Sequence, residues 1–235
     1  MPITLYDLLA KHGVRYSPYG WRVRFALAHK GLEAAQQLHW HSDARTLTIS
    51  GQNLVPVLVD GPTVVSDSWK IACYLDDTYS DRPALMEGKQ GKALARFLNV
   101  WTDGSVGRVL VRSMYLDIFN SLHPSVDAAA FRRKREQRAG TTLEVLRAGR
   151  EQDLQELHRQ WTPLEELLTH QDFIAGTVPA YADYIVLGTL QMPRYLNGVE
   201  VLSGRPAMAA WRDRMRRLFD GLADVDSPID NLPPL

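Results

Sequence analysis

Two kinds of hydrophobic spacing divide this chain, and the change near residue 89 limits the folds open to it. Before that point, short apolar runs alternate with one amphipathic stretch and then another. Ile3 to Leu8 reads as a strand, and residues 18–30 read as a helix, with Trp21, Phe25 and Ala28 at helical spacing and Gly31 as its stop. The alanine-rich stretch 33–40 ends in Leu38-His39-Trp40, a second strand. Val55 to Val59 is a third. Asp60-Gly61-Pro62 then turns the chain, and Thr63-Val64-Val65 pairs back as a hairpin. Ser66-Asp67-Ser68 opens a further helix with Ile71, Ala72, Leu75 and Tyr79 on one side.

After residue 89 only the helical period remains. Leu94, Phe97, Leu98 and Trp101 are spaced as a helix, as are Leu110, Met114 and Ile118 after Gly104 and Gly107. Further helices are expected over 128–169, 182–196 and 205–220. The order β-α-β followed by β-β-α is a thioredoxin-like layout. The expected architecture is α/β plus all-α: a thioredoxin-like βαβ-ββα domain over 1–80, a linker over 81–88 that includes Arg82-Pro83, and an all-helical domain over 89–235.

Composition narrows the partners. Lys plus Arg equals Asp plus Glu at 27 each, so no net field draws the chain to nucleic acid or an anionic membrane. The one dense basic run, Arg132-Arg133-Lys134-Arg135 with Arg138 after it, has Glu136 and Glu144 around it and reads as a solvated helix face. The single cysteine, Cys73, excludes an intrachain disulfide, and its apolar neighbours predict a small buried residue. His39 and His41 flank Trp40, but no third ligand stands at a metal-binding spacing, so no metal is expected. No apolar stretch approaches the ~20 residues that span a bilayer. The start of the chain lacks a basic, apolar targeting pattern, and a soluble cytoplasmic protein is expected.

Three segments carry candidate chemistry. Ser17-Pro18-Tyr19-Gly20-Trp21 puts a hydroxyl where a strand gives way to a helix. Taken alone, Ser followed by Pro is an N-cap followed by the first helical residue. The serine oxygen can accept from the helix while its proton points elsewhere, so a cap and a catalytic donor are compatible roles. Val55-Pro56 reads locally as an edge-strand proline. Asp67-Ser68 reads locally as a capping pair, and its helix N-terminus also suits an anion.

In this order the segments resemble the glutathione transferase superfamily across nearly the whole chain. The matching stretches are Ile3-Thr4-Leu5-Tyr6-Asp7-Leu8, Ser17-Pro18-Tyr19 with Trp21-Arg22, Val55-Pro56 with Asp67-Ser68-Trp69, and Phe97-Leu98 with Trp101. Gly149-Arg150-Glu151 and Leu218-Phe219-Asp220-Gly221-Leu222 extend them into the helical half. The serine-type bacterial and fungal branch that includes glutathione-dependent β-etherases is the most similar. Trp21-Arg22-Val23-Arg24 also resembles the zeta branch, with its maleylacetoacetate isomerases, but Tyr19 and Asp67 stand where that branch usually has cysteine and glutamine.

The resemblance implies the glutathione transferase fold, glutathione as co-substrate, a small hydrophobic electrophile as second substrate, and a homodimer. It implies that Ser17 donates a hydrogen bond to the glutathione sulfur, with Tyr6 as a rival donor and Tyr16 a weaker one. A thiol of pKa ~8.5 is only about 3% ionised at pH 7. A hydrogen bond to a charged group contributes roughly 1.5–3 kcal/mol, so one well-aimed donor lowers that pKa by roughly one to two units. A cis Val55–Pro56 bond is implied, presenting the Val55 backbone to the tripeptide as a short added strand. Asp67 and Ser68 would hold the γ-glutamyl end, with Tyr19 and Trp21 beside the ligand and Gln52 and His41 toward its glycine end. The electrophile is expected against Leu9 and His12 of the first loop and Met114, Tyr115 and Phe119 of the long helix. Asp183, after Ala180-Tyr181-Ala182, matches a structural helix start in which the usual capping side chain is missing. An isomerase that regenerates glutathione and a non-catalytic module of the same fold are the alternatives.

Overall fold

The computed structural model describes residues 2–40, 48–51, 54–122, 124 and 126–224. Strand β1 (Ile3–Leu9), helix α1 (Pro18–His29), β2 (Ala34–Trp40), β3 (Val57–Asp60), β4 (Thr63–Ser66) and α2 (Ser68–Thr78) form the first half. The sheet order is β2-β1-β3-β4. β1 pairs parallel with β2 and antiparallel with β3, which puts Leu5 between Gln36 and Leu58. The expected strand at 55–59 begins only at Val57, because Pro56 has no N–H to give to a ladder.

Among the described residues eight α-helices follow, with the chain wound more widely at one place: α3 (Gly88–Trp101), a π turn at Thr102–Val106, α4 (Gly107–Ser113) and α5 (Tyr115–Asn120). Then come α6 (Ala128–Ala139), α7 (Leu143–Ala148), α8 (Arg150–Leu167), α9 (Tyr181–Leu196) and α10 (Pro206–Arg216). The helical stretch expected over 128–169 holds three helices. Gly140 ends the first in the left-handed region at φ 69°, and Gly149 separates the other two. The segment joining the halves is pinned: Leu85 is buried, and the Leu85 and Met86 amides donate to Asp76 at 2.8 and 3.0 Å.

The core sits where α1 is clasped between the sheet and α9. Trp21 stacks on Tyr195 and Phe25 on Tyr184, each pair with ring centroids 5.4 Å apart. Burying such rings contributes roughly 1.5–3 kcal/mol each. The two helices meet at Gly188, where a Cβ would stand 2.5 Å from the Pro18 carbonyl oxygen. That closeness fixes α1, and with it Ser17.

The start of α9 is built without a capping side chain. Asp183 reaches back to the Ala180 amide at 3.1 Å and also accepts from Ile174 N, Ala175 N and the Trp211 indole N–H. Burial raises its pKa to about 6 in spite of those four donors. No described helix is long and apolar enough to cross a membrane.

Candidate functional site

Ser17 is the N-cap of α1. Its Oγ accepts from the Gly20 amide at 3.3 Å, and its side chain is buried. Nothing in that bond uses the hydroxyl proton. The Val55–Pro56 bond is cis, and the Pro56 carbonyl accepts from the Asp67 amide at 3.3 Å, so the proline turn and the start of α2 are one unit. Asp67 caps α2: its Oδ1 accepts from the Trp69 and Lys70 amides at 3.1 Å each, which leaves Oδ2 for another donor. Asp67 does this at φ 83°, a left-handed conformation that a residue with a Cβ adopts only where its surroundings impose it. Ser68 is buried, and its carbonyl accepts the Tyr181 hydroxyl at 2.8 Å, tying the start of α2 to α9.

Electrostatic interactions couple these segments. Tyr19, two residues past Ser17, has a pKa raised first by burial, then by the negative charges of Asp103 and Asp67. The Arg22 guanidinium lies 4.8 Å from the Tyr19 ring centroid and pairs with Asp103 at 2.8 Å. Arg22 is almost fully buried, and its Nε and Nη1 find no partner among the described residues. Asn99 donates to the other oxygen of Asp103 at 2.8 Å. Asp103 reaches this place because it rides on the π turn, and π turns recur at functional sites. Gly107 permits that turn, since a Cβ there would stand 2.8 Å from the Thr102 carbonyl oxygen.

Arg22 and Asp103 were not singled out from the sequence as site residues. The available signal was a pair of arginines, Arg22 and Arg24, inside the mostly apolar run of α1, the first of them three past Tyr19. Asp7 escaped notice in the same way: it is buried on β1, with its carboxylate in the space a Cβ on Gly20 would occupy.

Other expected contacts divide. Tyr19 is partly exposed beside the site. Trp21 is a core residue: its ring is 1% exposed and its indole N–H donates to the Arg15 carbonyl at 2.7 Å, so it has no face for a ligand. Met114 is likewise fully buried, with its sulfur 3.2 Å from the Asn197 amide nitrogen. Tyr115 is mostly buried, and Phe119 and Leu9 are half-buried. His12 belongs to a short turn at Lys11–Gly13. His41 and Gln52 lie outside the described residues.

Tyr6 stacks on His39 with ring centroids 5.5 Å apart. It alternates with Leu5 and Asp7, and Asp7 meets α1, so Tyr6 points to the sheet face away from Ser17. Tyr16 is buried, and burial pushes its phenol well above the ordinary value. Cys73 is half-buried rather than buried, with its thiol pKa also raised by burial.

The basic run on α6 is not uniformly a solvated face. Arg132 pairs with Glu136 and Glu144, while Arg135 is half-buried against Tyr115 and Phe131. Two cavities, of about 280 and 270 Å³, lie behind α1 and below Lys11, and neither is lined by Ser17, Val55 or Asp67.

The glutathione S-transferase N-terminal domain model matches residues 16–78, and the C-terminal domain model matches residues 93–224. Glutathione S-transferase 1 of Dianthus caryophyllus is 35% identical over 83 residues, 33% of this chain and 38% of that protein. Glutathione S-transferase Z2 of Arabidopsis thaliana is 42% identical over 69 residues, 27% of this chain and 31% of that one. These two matches thus span about a third of each relative's length. Among solved structures, a glutathione S-transferase of Ceriporiopsis subvermispora in complex with glutathione superposes with TM-score 0.81 at 22% identity, over 94% of this chain and 97% of that one. The β-etherase LigF of Sphingobium superposes with TM-score 0.68 at 19% identity, over 92% and 96%. The chain therefore belongs to the glutathione S-transferase family.

Proposed function

We propose that this transferase binds glutathione across the Val55 backbone and the start of α2, and that Ser17 keeps its sulfur anionic for attack on a small hydrophobic electrophile. The carrying observation is Ser17 itself: a buried hydroxyl, held as a cap by the Gly20 amide, whose proton is not used by that bond. Asp67 Oδ2 faces the ammonium of the γ-glutamyl group, and the hydroxyl and backbone amide of Ser68 receive its carboxylate, the Trp69 and Lys70 amides being held by Asp67. The backbone of Val55 pairs with the cysteinyl unit as an added strand. Attack forms a carbon–sulfur bond; in displacement the leaving group departs with its electron pair, and in addition the adduct takes up a proton.

Aryl ether cleavage is the displacement case with an aryloxide leaving group. The shared fold with LigF and the serine-type loop support it. Isomerisation of the zeta type consumes no thiol. Following free thiol against substrate separates the two, because transfer removes one thiol per electrophile and isomerisation removes none. A protein with no turnover and no retention on immobilised glutathione would contradict both.

A homodimer fits an exposed apolar stripe on α3. Leu94, Phe97 and Val100 recur every three residues and are 40%, 65% and 56% exposed. Helical spacing was visible in the sequence, but the outward face was not, because Leu98 and Ala95 take the buried side.

A further inference from the structure

We propose that His29, in the last turn of α1, is an acid-sensitive latch: it holds the joining segment at Ala84 and helix α9 to the first half while its ring is neutral, and lets go when the ring takes up a proton. Its Nδ1 lies 2.6 Å from the Tyr184 hydroxyl on α9, and its Nε2 lies 3.0 Å from the Ala84 carbonyl oxygen. A carbonyl only accepts, so Nε2 carries the ring hydrogen and Nδ1 accepts the Tyr184 proton. The neutral imidazole satisfies both bonds in this one tautomer. The Tyr184 ring meets it edge-on with centroids 5.7 Å apart, and Phe219 does so at 6.5 Å. One side chain thus ties α1 to the joining segment, to α9 and to the turn at Phe219–Asp224.

Protonation breaks this arrangement. A hydrogen on Nδ1 meets the phenol hydrogen, which then has to leave its acceptor inside the core, since Tyr184 is fully buried. A buried donor without an acceptor costs the full desolvation of that group. The neighbouring bonds use no imidazole. The Leu85 and Met86 amides donate to Asp76, the Tyr181 amide donates to the Leu85 carbonyl at 2.9 Å, and Lys30 pairs with Asp76 at 2.7 Å. The charges acting on the ring are Lys30 of α1, which disfavours its proton, and Asp76 of α2, which favours it; α9 presents the Tyr184 phenol and the 219–224 turn the Phe219 ring. Burial is the largest influence and sets the imidazole pKa below its ordinary 6.5. The contribution of the latch is therefore fully present above pH ~6.5 and is lost as pH falls through the lower folded value. The ring is half-buried, so solvent protons reach it.

Hydrogen exchange of the full chain, read by mass spectrometry over residues 82–87 and corrected for the intrinsic pH dependence of exchange, tests this. Wild type is expected to open this segment about fivefold or more readily at pH 5 than at pH 7.5, with strand β3 unchanged. His29→Gln keeps a donor for Ala84 and an acceptor for Tyr184 but does not titrate, so its response to pH is expected to vanish. In Tyr184→Phe the response shrinks, because no phenol hydrogen remains to be displaced. Nitrogen NMR of the imidazole at pH 7.5 is expected to show hydrogen on Nε2 alone.

Equal opening of wild type at both pH values overturns the proposal. A response that persists in His29→Gln does so too, since it assigns the effect to Asp76, as does one of full size in Tyr184→Phe. Opening shared equally by β3 marks general acid unfolding and also overturns it. Hydrogen on Nδ1 at pH 7.5 removes the bonding pattern on which the latch depends.

Discussion

At the scale of single residues, the proposed activation of glutathione turns on one hydroxyl. Removing a hydrogen bond to a charged group costs roughly 1.5–3 kcal/mol, which is roughly a ten- to hundredfold loss of thiolate-dependent rate. Ser17→Ala is therefore expected to lower kcat by that factor, with the KM for glutathione within about twofold, measured by steady-state kinetics. Tyr6→Phe is expected to leave both unchanged, because that ring is stacked on His39 across the sheet. Asp183 gives a second residue-scale test. Its folded pKa of about 6 lies above the ordinary 3.8, so the folded state binds its proton more tightly than the unfolded chain does. Its contribution is fully present below pH ~4 and is lost as pH rises through ~6, a change of roughly 3 kcal/mol. Urea unfolding of wild type and Asp183→Asn at both ends of that window should show the difference between them shifting against wild type by this amount as pH rises.

At the scale of elements, the site depends on how closely α1 is held. Gly188 lets α9 touch the Pro18 carbonyl, and a Cβ 2.5 Å from that oxygen forces the helices apart. Overpacking of this kind costs typically ~1–3 kcal/mol. Gly188→Ala is expected to lower the urea midpoint and also kcat, since Ser17 moves with α1. Unchanged kcat would separate α9 packing from the site. The strand-and-helix order of the first half was legible because Val57–Val59, Thr63–Val65 and the Trp21–Phe25 spacing are local patterns. The π turn was not. Gly104 and Gly107 stand in and beside it, but no local signal distinguishes a plain helix or a bend there from an extra residue per turn. Its consequence, Asp103 meeting Arg22 across 81 positions of sequence, is a tertiary fact.

At the scale of the molecule, what sequence reveals is the set of segments rather than which side chains face outward. Ser17, Val55-Pro56 and Asp67-Ser68 could be named because caps, prolines and turns leave local signatures. Trp21 and Met114, expected at the ligand, are buried, because an aromatic or thioether at helical spacing looks the same whether it lines a pocket or fills the core. Phe97 shows the converse: it was counted with Leu98 as part of a helix period, yet it is 65% exposed. On the proposed homodimer through α3, wild type is expected to run as a dimer in light scattering and Phe97→Glu as a monomer, because a charge on that stripe cannot be buried unpaired. The most direct test of the central claim is the pKa of bound glutathione, titrated through thiolate absorbance of the complex. A hydrogen bond from Ser17 to the sulfur predicts a midpoint roughly one to two units below the free thiol in wild type and in Tyr6→Phe, returning upward in Ser17→Ala. The same midpoint in wild type and Ser17→Ala, or a lowered one lost in Tyr6→Phe, would contradict it.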